Sequence, residues 1–420
     1  MSQKIQPPKG TRDFFPAEMA VQNRIFGAWR KVCTRFGFQE YEGPAFEHLE
    51  LYTGKSGSEI VGQLYNFQDK GHRDIALRPE MTPTLARMAN QLGRNLKKPA
   101  RWFSLPRLWR YEKQQRGRLR EFFQLNMDIL GSDNVGADAE LLAAACAICQ
   151  ELGLTANDVK ARISSRRLIS GLLDELGCTD KPSVYLALDR RDKLPREEFV
   201  AGVLAAGLDE SGLAKLDDLF TATSLEDVDK ICHSDESKAA VQELRDLLAL
   251  VSAHGFGDWC LFDPKVVRGL AYYTGIVYEL FDAGRSLRAI AGGGRYDSLL
   301  EKLGGEALPA VGFGMGDVVI AELLKDKGIL EVAPDGMDYW IVSVDGDDLK
   351  VAGLAASLRA KGRTVGFGFG GGKLGKQMQS AAEQHARTVI FSGSDRAPEG
   401  SFETKELASG TQSIVALGDL

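Results

Sequence analysis

The sequence predicts an α+β chain: an antiparallel-sheet core, a helical insertion, and a small C-terminal α/β domain. Three observations predict it. Two strand candidates, Arg101–Tyr111 and Phe122–Leu130, flank a long basic loop and read as an antiparallel pair. From about Ser165 to Ala253 the texture is helical, charged and glycine-poor. From Tyr339 onward strand and helix patterns alternate, as they do around a parallel sheet.

Each element has its own signal. Val21, Ile25, Trp29 and Val32 recur at helical spacing, so Ala17–Phe36 reads as a helix that Gly37 ends. A strand near Phe38–Tyr41 precedes Gly43-Pro44. Asp74–Leu77 is a short strand leading through Arg78-Pro79 into a helix that runs to Leu92. Ala137–Glu151 is alanine-rich and helical. Leu168–Leu176 and Ala239–Leu250 are amphipathic pieces of the helical segment. Strand and glycine texture returns at Trp259–Leu280 and Ala289–Gly316. Glu331–Gly336 reads as a linker. Beyond it come strand Tyr339–Val344, helix Leu349–Lys361, strand Thr364–Phe367, helix Lys376–His385 and strand Thr388–Phe391.

A chain of 420 residues fits about two or three domains. Hydrophobic residues at 44% and charged residues at 26% are ordinary globular proportions. The net charge of -6 excludes a chain that is a basic coat throughout, and leaves room for a local basic patch. No apolar run reaches the roughly 20 residues that span a bilayer, and the first residues lack a signal-peptide core, so a cytoplasmic protein is expected. The six scattered cysteines suit free thiols in a reducing compartment. Cys146 and Cys149 lie in a helical run without a second pair or a nearby histidine, and read as buried helix residues rather than metal ligands.

The basic loop carries the clearest chemistry. Arg110, Arg116, Arg118 and Arg120 fall within eleven positions, and guanidinium forks match phosphate oxygens. On a strand, Arg110 and Glu112 share a face, as do Gln124 and Asp128. Glu80 and Thr82 follow the Pro79 turn. Two acids and two neutral polar groups suit an ammonium beside a polar side chain. Arg268, Tyr272, Tyr273 and the triplet Gly292, Gly293 and Gly294 complete a set suited to a charged, partly aromatic small molecule. The tail stretch Gly366–Lys373 fails as a phosphate loop, because Phe367 and Leu374 occupy its glycine and hydroxyl positions.

Together these segments resemble the histidyl-tRNA synthetases, class II aminoacyl-tRNA synthetases, over essentially the whole chain. Lys9–Pro16 resembles their N-terminal signature, and the first helix, strand and Pro44 resemble motif 1, the dimer-forming motif. Arg110-Tyr111-Glu112 with the loop resembles motif 2, Arg268–Gly275 the histidine-specific signature, and Val311–Gly316 the start of motif 3. The resemblance implies a class II antiparallel catalytic core over 1–164 and 254–328, a helical insertion over 165–253 and an anticodon-binding domain over 335–420. It implies ATP with Mg2+ carried mainly by the nucleotide, L-histidine, tRNA(His), a homodimer and no membrane. Arg110 would hold the α-phosphate, and Arg268 would bridge it to the histidine carboxylate. Glu80, Thr82, Gln124 and Asp128 would take the α-amino end, and Tyr272 and Tyr273 the imidazole. Glu112, Arg118, Arg120 and Gly292–Gly294 would meet ATP, and Gln115 and Arg116 the tRNA.

The chain departs from the family pattern in three places. Ala271 stands where the signature has an acid, and Val319 where motif 3 ends in an arginine for the distal phosphates. A lost charge-assisted contact costs about 2–3 kcal/mol. Arg120, Arg295 or a metal ion is expected to compensate, and on that view Val319→Arg leaves ATP affinity equal or better. A closing helix is expected where the tail reads Gly418-Asp419-Leu420.

Overall fold

The computed structural model describes residues 5–53, 61–191, 195–266, 272–330, 336–369 and 372–420. Contacts divide the chain into two compact units, Met1–Glu331 and Val332–Leu420. Most of the expected linker and the Arg268 end of the histidine signature lie outside the described residues.

In the first unit the helix Pro16–Arg35 starts on a proline, where the missing N–H costs nothing. Strands β1 (Gln39–Glu40), β2 (Phe46–His48), β3 (Asn66–Gln68) and β4 (Asp74–Leu77) follow, then the helix Thr82–Leu92. The expected strand Arg101–Tyr111 is broken in two, β5 (Ala100–Ser104) and β6 (Arg107–Trp109). The break falls at Leu105-Pro106, where proline removes a ladder donor. Strand β7 (Glu121–Leu130) precedes the helix Val135–Glu151, which Asn134 caps by accepting from the Gly136 amide at 2.7 Å. Next come β8 (Val159–Ser165), β9 (Cys260–Phe262), β10 (Ile276–Asp282), β11 (Ala291–Arg295) and β12 (Ala310–Gly316).

These strands make one large sheet in the order β1-β5-β7-β12-β11-β10-β8-β9, with β6 added against β7. Only the outer pairs β1–β5 and β8–β9 are parallel. Strands β2, β4 and β3 form a separate antiparallel sheet. Between β8 and β9 lie the helices from Arg166 to Ala253. They share one continuous core with the sheet, which runs from Trp29 and Met127 through Leu168 to Leu216 and Leu244. The segment is therefore packed into the unit rather than hung from it. All six cysteines are unpaired, five of them buried, and burial pushes the Cys149 thiol up to about 12.

The second unit has β13 (Tyr339–Ser343), β14 (Val365–Phe367), β15 (Thr388–Ser392), β16 (Ser401–Glu406) and β17 (Gln412–Ala416). The order is β14-β13-β15-β16-β17, parallel through β15 and antiparallel beyond it. The sheet is thus mixed. Strands β16 and β17 form an antiparallel hairpin, and among the described residues no helix follows it at Gly418-Asp419-Leu420, where one was expected. The helices Asp348–Ala360 and Leu374–Glu383 join the parallel strands. Gly366 is required by packing, since a Cβ there would lie 2.4 Å from the Met337 sulfur and 2.7 Å from the Trp340 ring.

Two buried carboxylates tie the first unit together. Asp317, at the start of the helix Asp317–Asp326, accepts from Arg12 at 2.6 Å and from the Phe123 amide at 2.9 Å. Burial raises its pKa, and the Arg12 guanidinium works against that rise. Asp138 pairs with Arg295, whose side chain is 5% exposed against 0% for its partner. Arg295 also donates to the Ser132 carbonyl at 2.8 Å and to Asp297 at 3.2 Å. This excludes Arg295 as a phosphate ligand, because its charge is already spent inside the protein. Arg295→Ala leaves Asp138 buried and unpaired, and is expected to destabilise the fold by about 3–5 kcal/mol. Urea unfolding measures this, and adding Asp138→Asn should recover part of the loss.

Candidate active site

The site is built on β7, β12 and β11. In register, Gln124 lies opposite Gly316 and Asp128 opposite Gly312. A Cβ on Gly312 would fall 1.9 Å from Asp128 Oδ1, and one on Gly314 would fall 2.8 Å from Gln124 Cδ. The two side chains therefore lie over glycines of the neighbouring strand, on one face as their spacing requires.

The glycine triplet has three separate jobs. Gly292 lines a cavity of about 250 Å³. Gly293 faces the other way: a Cβ there would meet the Gly312 carbonyl at 2.3 Å and Phe313 at 2.5 Å. That removes Gly293 from the expected nucleotide floor. Gly294 makes room for the Ile276 carbonyl at 2.5 Å and the Tyr273 ring at 3.1 Å.

Arg110, Glu112, Arg118 and Gln124 line the same cavity. Arg110 and Glu112 lie beyond the end of β6, so they converge through a turn rather than along a strand. The Arg110 Nε donates to the Pro79 carbonyl at 2.8 Å, and its guanidinium lies 5.4 Å from the Phe122 ring centre. Arg78 fixes that turn by donating to Glu42 at 2.5 Å, to the Gly43 carbonyl at 2.9 Å and to the Arg107 carbonyl at 3.0 Å. Arg118 is ion-paired with Glu112. At the loop tip Gly117 takes φ +75°, a value that favours glycine.

One expected contact is corrected here. Arg120 is not in the cavity wall: it donates to the Glu112 carbonyl at 3.2 Å and stacks 4.0 Å over the Tyr111 ring. It is held there by the N-terminal signature, because the Gly10 carbonyl accepts from the Arg120 amide at 3.0 Å and a Cβ on Gly10 would strike its side chain at 2.7 Å. Val319 is 6% exposed and roofed by Gly117, whose Cβ position is 3.3 Å from it. Val319 itself lines the cavity, so an arginine there would reach into that space, and the expectation that Val319→Arg leaves ATP affinity equal or better stands as a proposal. Gln115 is exposed, and Arg116 is tied to Glu322 at 3.0 Å and Asp326 at 2.7 Å on the helix Asp317–Asp326.

Farther along β7, on the face shared by Gln124 and Asp128, Asp128 belongs to a buried aromatic and acidic chain. The Tyr272 hydroxyl donates to Glu80 at 3.2 Å, and Tyr272 contacts Tyr273 and Tyr296 with ring centres 5.1 and 5.9 Å apart. The Tyr296 hydroxyl donates to Asp128 at 2.6 Å. Burial pushes Asp128 up to about 7, and the Tyr296 hydrogen bond works in the opposite direction. Burial and the Asp128 charge raise the Tyr296 hydroxyl well above its ordinary value. Thr82 opens the helix Thr82–Leu92 two residues beyond Glu80. Tyr296 was missed as a site residue although it directly follows the glycine–arginine run. Tyr41, whose buried hydroxyl has no hydrogen-bond partner among the described residues, carried no signal beyond a strand end. Arg268 and Ala271 lie outside the described residues.

The family model described as histidyl-tRNA synthetase matches residues 10–316. The chain is 40% identical over 419 residues to the histidine–tRNA ligase, chloroplastic/mitochondrial, of Arabidopsis thaliana, covering 99% of this chain and 86% of that protein. It is 39% identical to the histidine–tRNA ligase of Halobacterium salinarum, over 97% and 95% of the two chains. The crystal structure of histidyl-tRNA synthetase from Nostoc sp. PCC 7120 superposes with a TM-score of 0.81 at 24% identity, covering 99% and 97%, which shows the shared fold. The glycine-floored sheet, the arginine-bearing hairpin and the buried tyrosine–carboxylate chain are therefore those of a class II core, and the chain belongs to the histidyl-tRNA synthetase family.

Proposed function

We propose that this chain is a histidine–tRNA ligase that works in two steps. An oxygen of the histidine carboxylate attacks the α-phosphorus of ATP, and pyrophosphate leaves. The terminal ribose hydroxyl of tRNA(His) then attacks the acyl carbon of the adenylate, loses its proton, and AMP leaves. The observation that carries this reading is the juxtaposition of two features. A cavity of about 250 Å³ has Arg110, Arg118 and Gln124 in its wall, and on the same strand face as Gln124 lies Asp128, which joins a buried Asp128–Tyr296 and Glu80–Tyr272 array. Family membership supplies the reaction class. The alternative, a non-catalytic synthetase-like regulatory subunit of ATP phosphoribosyltransferase, would suit the valine at 319, but the two curated relatives, at 40% and 39% identity over nearly the whole chain, are named as ligases.

In this reading Arg110, set by the Pro79 carbonyl, meets the α-phosphate. Arg118 and Glu112 border the nucleotide. Arg268 bridges carboxylate and phosphate. Glu80, Thr82, Gln124 and Asp128 take the α-ammonium, and Tyr272 and Tyr273 flank the imidazole. Glu112 and Glu279, the carboxylates in the cavity wall, suit Mg2+, which binds one or two carboxylates beside substrate phosphates. When bound, the ion would neutralise pyrophosphate charge. Gln115 and Arg116 face the tRNA, and residues 335–420 bind the anticodon. Exposed Phe46 and Phe67 on the small sheet suit a homodimer face. Buried free thiols suit the cytoplasm. Catalysis is mainly positioning and charge stabilisation.

Histidine-dependent exchange of pyrophosphate into ATP is the direct test, and its absence in pure full-length protein would refute the reading. Arg268→Ala should slow that exchange about 10²–10³-fold while histidine affinity changes less, since its charge is needed most in the transition state. Deleting residues from 336 onward should spare exchange and impair tRNA charging.

Asp128 generates a prediction with two readouts. Its ionised form meets the substrate ammonium, so the KM for histidine should rise as pH falls through about 7. Asp128→Asn should raise that KM and abolish this limb of the profile. The native carboxyl keeps its proton at pH values where the unfolded chain has lost it, so stability falls as pH rises towards about 7. Asp128→Asn should therefore raise the Tm by a few degrees in mildly alkaline buffer and leave it little changed in acid buffer. Calorimetry across that range checks the sign.

A further inference from the structure

We propose that Arg288 supplies the cationic contact to the distal phosphates of ATP that position 319 does not supply in this chain. The proposal rests on the ligase reading and adds a residue to it. Arg288 lines the cavity and is exposed. The other guanidiniums in the wall are engaged: Arg110 with the Pro79 carbonyl, and Arg118 with Glu112. Among the described residues Arg288 has no hydrogen bond or ion pair.

Strand register explains why position 288 can serve for position 319. Strand β11 pairs with β12 antiparallel, with Ala291 opposite Met315. The Gly316 amide donates to the Ile290 carbonyl at 3.2 Å, which carries the ladder one step further. Counting on in opposite directions brings Arg288 alongside Val318, next to position 319. Both valines and Arg288 line the same cavity. The guanidinium thus enters from the facing strand instead of from the helix Asp317–Asp326.

Arg288 also sits on a rigid mount. The Asp282 side chain closes the hairpin turn by accepting from the Ser286 amide at 2.8 Å, the Ser286 hydroxyl at 2.9 Å and the Leu287 amide at 2.9 Å. The residue before Arg288 is therefore fixed to the start of the turn. Only the arginine side chain is free to swing onto a phosphate, and a planar fork loses little freedom when it does. Arg120 and Arg295 are held elsewhere by Tyr111 and Asp138, so neither competes for the role.

The test uses the full chain with Arg288→Ala and Arg288→Lys. ATP and AMP binding are measured by calorimetry, and the KM values for ATP and histidine by pyrophosphate exchange. Arg288→Ala should weaken ATP about ten- to a hundredfold, the size of one lost charged hydrogen bond, with AMP and histidine unchanged. Arg288→Lys should fall between wild type and Arg288→Ala. A merely structural role would weaken AMP and ATP alike, and that outcome overturns the proposal. So does an active wild type whose ATP affinity ignores Arg288→Ala. If wild type shows no exchange yet loses ATP, and not AMP, on Arg288→Ala, the ligase reading fails and the phosphate contact stands.

Discussion

The site depends on two side chains lying flat over glycine. Gln124 and Asp128 occupy the volume that side chains at Gly314 and Gly312 would otherwise fill. The constraint is steric and local, because a methyl at 312 would sit 1.9 Å from a carboxylate oxygen. It also sets the electrostatics. A carboxylate pressed onto a glycine backbone is stripped of water, which is why Asp128 titrates near neutrality rather than as an ordinary acid. The Tyr296 hydroxyl that braces it belongs to the residue after Arg295, itself locked to Asp138. Position and ionisation of the polar groups thus follow from strand register and from a buried ion pair behind the strand.

Charge is distributed in two tiers. Arg12–Asp317 and Arg295–Asp138 are structural pairs that pin the N-terminal segment and β11 to the rest of the unit. Arg110, Arg118 and Arg288 face the cavity. Arg118 rests on Glu112, a pairing that limits repulsion between cations while no phosphate is present. Arg116 rests on Glu322 and Asp326 in the same way. A guanidinium held by carboxylates must exchange partners to meet RNA, so loop contact with a polyanion is a competition between charges rather than a simple attraction.

Much of this was legible in the sequence, and the exceptions share a cause. Period-two spacing put Gln124 and Asp128 on one face without knowledge of what lay opposite. The basic loop announced itself by composition. Arg295 was misread because its partner Asp138 lies 157 positions away and nothing local marks the pair. The glycine triplet was read as one floor because the cross-strand neighbours that give Gly293 and Gly294 separate jobs are long-range. Arg288 was missed for the same reason: its nearness to position 319 exists only once β11 and β12 are in register. The break at Pro106 was readable from proline chemistry alone. The closing hairpin Ser401–Ala416 was not, because its largely polar strands lack the apolar alternation that marks a half-buried pair.

Strand β12 sits between β7 and β11, yet it is the last strand of its sheet to be made. On the ribosome, β7 and β11 emerge with the edges that β12 will cover still unpaired, and unpaired edges template association between chains. The Arg12–Asp317 pair has a separation of 305 positions, so the ion pair that pins the N-terminal segment also waits for the same moment. Three quarters of the chain must therefore be held in a joinable state until one glycine-rich segment arrives. A nascent chain stopped short of Gly316 is a protein with two exposed seams, and its fate is set by how quickly translation delivers the strand that closes them.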